Sequence, residues 1–255
     1  MTTPPPPAII FFDIGNVLVS DDPSGLFIYR GLYERLGGAA RLTPEEFFGG
    51  RTRHVAAGGH VWSYARECLS DGDFEDFQVE IRRGLYSQWE RTSPELPGMA
   101  DAIRRVAGEY RIGIIANQPP EIEGVLRKRG LWDLFEVHGV SGSIGMEKPD
   151  RGIFDWALER ARVRPDEALM VGDRADNDVA PAKALGMRTL LLRLGFEQRG
   201  WRPDEPFGEL YVRSLQAASI SGLAPRTDAE KPDFTAESPD ELVAVLTGLR
   251  TGAAT

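Results

Sequence analysis

Residues Ala8 to Phe12, AIIFF, are apolar without alternation and run straight into Asp13, after which a glycine-containing stretch, IGNVLVSDD, breaks the pattern. A short continuous apolar run is how a strand covered on both faces reads, and such strands belong to parallel sheets flanked by helices. In those sheets ligands bind beyond the carboxyl ends of the strands. Asp13 therefore stands where such a fold does its chemistry. Aspartate also punctuates turns, so the residue alone leaves both readings open, and the rest of the chain has to decide between them.

After this strand the pattern changes. Leu26, Tyr29, Leu32, Tyr33 and Leu36 recur at helical spacing and end at Gly37-Gly38, a helix stop. Thr43-Pro44-Glu45-Glu46 opens a second helix with a capping residue, proline in the first turn and early acids. Asp73 to Arg91 reads as a longer one, with Phe74, Phe77, Ile81, Leu85 and Trp89 on one side. From Leu96 strands and helices alternate. Arg111 to Ala116 (RIGIIA) ends in Asn117-Gln118-Pro119-Pro120; Val137 to Val140, Ala168 to Val171 and Arg188 to Leu192 are further strands, each leading into a helix or loop. This rhythm predicts an α/β fold with a parallel, doubly wound sheet. The all-helical block between the two α/β stretches reads as an inserted cap. The division expected is residues 1–20 core, 21–93 cap and 94–255 core. Within the last, 196–231, rich in Gly, Pro and charge, forms an irregular excursion with some structure around Leu210 to Leu215. Phe234-Thr235 and a helix over Ser238 to Leu249 close the core. MTTPPPP is expected to be a short extended tail, and TGAAT to fray.

Charge and cysteine content narrow the function. The formal charge of −9 leaves no basic face for general nucleic-acid binding, so an anionic small substrate has to be met by locally placed cations. One cysteine, Cys68, excludes an intrachain disulfide framework, fits a reducing cytoplasm and is expected to pack within its helix. No apolar run reaches the length of a membrane span, and MTTPPPP lacks the basic and apolar regions of a signal peptide.

Polar signals stand at four strand ends or adjoining loops: Asp13, Asn117, Lys148 within GMEKPD, and the cluster GDRADND, which carries Asp173, Asp176 and Asp178. In this order and spacing they resemble the haloacid dehalogenase-like (HAD) superfamily, most of whose members are magnesium-dependent phosphatases. The resemblance covers Ala8 to Leu194 and includes the position of the helical cap. It implies a Rossmann-like core and a small phosphorylated metabolite as substrate. It further implies Asp13 as the nucleophile that forms an aspartyl-phosphate. Mg2+ would be held by Asp13, the Gly15 carbonyl, Asp173 and Asp178. Lys148 would offset the charge of nucleophile and phosphate, and Asn117 would present its backbone amide to the phosphoryl group. Asp176 is left to cap the following helix.

Two positions depart from the family's pattern. Gly15 stands where a second acid usually protonates the leaving oxygen, a loss of about 10²–10⁴ in rate for a general acid–base, although a branch of sugar-phosphate phosphatases also reads D-x-G-N. Ala116 stands where a Ser or Thr hydroxyl usually binds the phosphoryl oxygen, a donor worth on the order of 10²–10³. Besides a phosphatase, two readings stay open: a dehalogenase-type hydrolase attacking carbon, which the acid-rich GDRADND disfavours, and a catalytically weak binding or regulatory protein. In the cap, Arg51, Arg53 and His54 are the cations to test against an anionic substrate, beside the simpler reading of a solvated helix face.

Overall fold

The computed structural model describes residues 5–222 and 224–252; much of the tail expected over MTTPPPP and of the fraying expected over TGAAT lies outside the described residues. The chain divides into two compact units, one of Met1–Val19, Glu95–Arg199 and Ala224–Thr255, the other of Ser20–Pro94 and Gly200–Leu223.

The first unit is built on a six-stranded sheet in the order β3-β2-β1-β4-β5-β6, every neighbouring pair parallel. The strands are β1 (Ile9–Phe12), β2 (Arg111–Ala116), β3 (Val137–Val140), β4 (Ala168–Gly172), β5 (Arg188–Leu192) and β6 (Phe234–Ala236). Non-consecutive neighbours require crossovers, and helices supply them, as the alternating pattern predicts. β1 lies at the centre between β2 and β4. Its four residues are wholly buried, which is why AIIFF shows no alternation. Ile9 and Phe11 pack with Ile115, Val137, Met170 and the apolar face of the helix Arg151–Ala161. The last strand and the helix Pro239–Thr251 close the unit, with Ser238 accepting from the Glu241 amide as N-cap.

The second unit is helical. Its helices are α1 (Asp22–Arg35), α2 (Pro44–Ala56), α3 (Val61–Cys68), α4 (Asp71–Tyr86) and the short α5 (Trp89–Thr92). α1 stops before Gly37, whose φ of 99° is open to glycine at little cost. α2 starts in a full capping box, Thr43 with Glu46. The single long helix expected to reach Arg91 instead ends at Tyr86, and Trp89 is buried at the head of α5. The larger difference is in the excursion. Residues 206–217 form a regular helix, Pro206–Ala217, capped by Glu205, which accepts from the amides of Phe207 and Gly208. This helix belongs to the helical unit: Phe207 and Tyr211 join an aromatic cluster with Tyr29, Tyr33, Phe47 and Phe48. Arg30 pairs with Glu205. Residues 200–223 thus join the residues expected as the cap, whereas the sequence reading kept them with the core.

Arg51 sits inside this cluster and is 3% exposed. Its Nη1 donates to the carbonyls of Ser214 and Ala218 at 2.8 Å each, at the C-terminal end of the helix Pro206–Ala217, while the guanidinium lies against the rings of Tyr29 and Tyr211. A cation there meets carbonyls of the helix end and the negative end of the helix dipole. Arg51 is therefore neither a substrate cation nor part of a solvated face, but the clamp that joins two separate chain segments. His54 is likewise engaged within the unit, Nδ1 with Glu67 and Nε2 with Ser63 at 2.7 Å each, whereas Arg53 is exposed.

Candidate active site

The sheet register brings the polar signals together. Phe12 pairs with Val171 on one side and Ile114 on the other, and the Asp13 amide donates to the Val171 carbonyl at 2.9 Å. Asp13 and Asp173 consequently leave the carboxyl edges of adjacent strands side by side. Asp178 is returned to the same edge by one wide, π-type turn over Ala175–Val179, a helical irregularity that recurs at functional sites. Its Oδ2 accepts from the Arg174 amide at 3.0 Å. Gly172 makes this approach possible: a Cβ there would come within 2.2 Å of the Asp178 carboxyl carbon.

Oxygens of Asp13, Asp173 and Asp178 lie within 4.8 Å of one another, and all three residues are buried. The Lys148 ammonium reaches Asp13 Oδ1 at 3.0 Å and Asp178 Oδ1 at 2.5 Å. Asn117 holds Lys148 in place through its side chain. Oδ1 accepts from the Lys148 amide at 2.7 Å and Nδ2 donates to the Lys148 carbonyl at 2.8 Å. The strand-end asparagine thus positions the lysine, a geometry that the spacing of the two motifs does not reveal.

Three carboxylates around one ammonium leave excess negative charge in a site shielded from water. Burial, with Asp178 and Asp173 alongside and against the opposing pull of Lys148, pushes the Asp13 carboxyl up from 3.8 to about 8. Burial would lower Lys148, but Asp13 and Asp178 outweigh it and hold the ammonium above its ordinary value. A hard divalent cation needs several oxygens, at least some of them anionic. Three converging buried carboxylates, one of them held protonated chiefly by burial and further by its two acidic neighbours, are a donor set that fits such an ion.

Gly15 is buried and forms an isolated bridge with Val19, so its position offers backbone only. Ala116 is wholly buried at the end of β2. Sequence reasoning missed Asn16: its Nδ2 donates to Asp173 Oδ2 at 3.4 Å, and its φ is +50°. That left-handed conformation is one that asparagine tolerates better than most residues, and an Asn after Gly at a strand end was the available signal. Asp176 was expected as a helix cap; instead both its oxygens accept from the Arg174 guanidinium, at 3.0 and 2.7 Å.

Comparison with known proteins agrees with this geometry. The HAD-hydrolase-like family model matches residues 145–218, which include Lys148, Asp173 and Asp178. A pyrimidine 5'-nucleotidase of Escherichia coli is 38% identical over 100 residues, 38% of this chain and 44% of that protein. A glyceraldehyde 3-phosphate phosphatase of Pyrococcus furiosus is 39% identical over 104 residues, 40% of this chain and 43% of that protein. The chain therefore spans less than half the length of these curated relatives. Among solved structures, a haloacid dehalogenase-like family hydrolase from Streptococcus pneumoniae superimposes with a TM-score of 0.67 at 17% identity, covering 96% of this chain and 99% of that one. The family model over residues 145–218 and the sheet order point the same way as the motifs, and the chain is similar to the HAD-like hydrolases.

Proposed function

We propose that this protein is a magnesium-dependent phosphatase acting on a small phosphorylated metabolite through an aspartyl-phosphate on Asp13. The observation that carries the proposal is the convergence of Asp13, Asp173 and Asp178 around the buried Lys148 ammonium. The phosphatase and nucleotidase names of the relatives support the same substrate chemistry.

Asp13 Oδ attacks phosphorus in line with the ester oxygen; the new O–P bond forms as the P–O bond to the leaving group breaks. Water then attacks the acyl phosphate at phosphorus, releasing inorganic phosphate and restoring the carboxylate. Lys148, fixed by Asn117, offsets negative charge on the nucleophile and on the transferring group, where desolvation strengthens the attraction. The Asn117 amide meets a phosphoryl oxygen. Asp13, Asp173, Asp178 and the Gly15 carbonyl would hold Mg2+, which keeps Asp13 ionised at neutral pH and neutralises phosphoryl charge. Gly15 supplies no proton, so the departing oxygen takes its proton from solvent. A chain with one cysteine suits the reducing cytoplasm, where such metabolites are plentiful. No helix among the described residues is long and apolar enough to cross a membrane.

A screen of phosphate release over phosphorylated metabolites, run with Mg2+ and with chelator, tests the proposal. Release that needs the metal and disappears in Asp13→Asn is expected. Activity on the best substrate that persists undiminished in chelator would sink it and favour attack on carbon.

A further inference from the structure

Asp176 lies between Asp173 and Asp178 in the chain, and the mechanism above makes no use of it. An acid in the first turn of a helix ordinarily serves the backbone amides there. Here both its oxygens are taken by the Arg174 guanidinium, by Nε at 3.0 Å and Nη2 at 2.7 Å, in a bidentate pair that closes over a single intervening residue. Such a pair restricts the backbone of residues 174–176.

Arg174 is also the residue that grips Asp178. Its amide donates to Asp178 Oδ2 at 3.0 Å, and its carbonyl accepts from the amides of Asp178 at 3.0 Å and Val179 at 3.3 Å. The Val179 bond belongs to the wide turn over Ala175–Val179, and turns of this width are rare, occurring mostly as single turns at functional sites. The Arg174–Asp176 pair ties the extended entry residue, Arg174 at φ −119° and ψ 122°, to the second residue of that turn. Asp178 is wholly buried, with Oδ1 on the Lys148 ammonium and Oδ2 on the Arg174 amide. A carboxylate held at both oxygens goes where its holders go.

We propose that Arg174 and Asp176 are a positioning pair: by bracing the turn they keep the Arg174 amide on Asp178, and so fix the carboxylate that would bind Mg2+ beside Asp13 and Asp173. The inference rests on the metal-dependent reading above and adds to it two residues that act through Asp178. Charge alone makes the opposite forecast for one of them. The Arg174 charge acts on Asp173 and Asp178, so removing it would favour a cation in its place. Bracing requires weaker binding whichever partner is lost.

The test is titration calorimetry of Mg2+ into the full chain, without substrate, for wild type, Arg174→Met, Arg174→Lys, Asp176→Asn and the double variant Arg174→Met/Asp176→Asn. Each single variant should bind Mg2+ about 10-fold more weakly, the scale on which groups that orient a ligand act. Arg174→Lys keeps the charge but not the planar fork, so it should lose affinity too. The double variant should bind no more weakly than the poorer single, because either loss already releases the turn. Melting temperatures in chelator should change by no more than about 3 °C, since a partly exposed ion pair adds little to global stability. Tighter binding by Arg174→Met, wild-type affinity in Arg174→Lys, or losses that add in the double variant overturn the inference alone. A fall in melting temperature well beyond that bound also overturns it, by assigning the pair to the fold. If Arg174→Met does not fold, Arg174→Lys and Asp176→Asn decide. A wild type that binds no Mg2+ removes the metal-dependent reading itself, and this inference with it.

Discussion

Asp13→Asn should make the metal-free protein more stable while abolishing turnover, and the gain should grow with pH. The Asp13 carboxyl moves from 3.8 to about 8 on folding, chiefly by burial. Between those values the folded protein holds a proton that the unfolded chain has released, so stability falls as pH rises through the window. Each pH unit costs ~1.4 kcal/mol, which over about pH 5 to 8 amounts to roughly 4 kcal/mol at most. Coupling to Lys148 and the other acids reduces the observable loss to about 2–4 kcal/mol, or roughly 5–10 °C for a chain of this size. Lys148 does not oppose the trend: a raised ammonium contributes fully below its ordinary 10.5 and is lost only above it.

Asparagine removes the titration without orphaning a partner. Its Oδ1 still accepts from the Ile14 amide, which donates to Asp13 at 2.8 Å, and Lys148 keeps Asp178. The measurement is thermal unfolding in chelator across that pH range for wild type and variant. The wild type should lose stability with rising pH, and Asp13→Asn should stay nearly flat and exceed it at the alkaline end. Saturating Mg2+ should remove the wild-type slope by binding the folded state alone. A wild-type profile in chelator that is flat or rises with pH would refute the electrostatic account of the site.

Three other predictions follow from particular contacts. Asp173→Asn should weaken Mg2+ binding and turnover together and be partly rescued by excess Mg2+; titration calorimetry alongside kinetics checks this, and loss of activity with unaltered metal affinity would contradict it. Arg51→Ala should cost about 3 kcal/mol, because it removes the charged donor from two helix-end carbonyls, leaving Ser214's with the Ala218 amide, and empties an aromatic cage; a raised KM with an unchanged melting temperature would return Arg51 to the substrate. Because Gly15 carries no acid, kcat for aryl phosphates should fall steeply as the leaving phenol becomes more basic, and Gly15→Asp should flatten that dependence; equal slopes would show that the missing acid is replaced from elsewhere.

The core could be read from the sequence because each of its signals is local. A strand buried on both faces has to be apolar throughout, and Ile9 to Phe12 are; a parallel sheet then sets its working groups at carboxyl ends, where Asp13, Asn117 and Asp173 stand. The contacts that hold the site are not local. Asn117 and Lys148 are 31 residues apart, and nothing in either motif announces that one side chain brackets the other's peptide. Asp176 shows the converse error: an acid near a helix start suggests a cap, but Arg174 two residues earlier offers a bidentate partner that outcompetes the backbone.

The helical unit marks where reading along the chain stops working. Residues 206–217 carry their own helix signals, an acidic cap at Glu205, proline at the first position and Tyr211 and Leu215 one turn apart. What the sequence conceals is the partner. The apolar face of this helix is too small to form a core alone, and the aromatic surface that covers it comes from Tyr29, Tyr33, Phe47 and Phe48, more than 150 residues earlier. Arg51 is the residue through which that dependence could have been suspected. An arginine among phenylalanines on α2 is costly unless something repays its desolvation, and here two helix-end carbonyls and two aromatic faces do. The same cost applies to Lys148 between Asp13 and Asp178, and there too the solvation comes from distant segments. In both units the buried cation is the residue that binds separate stretches of chain into one structure.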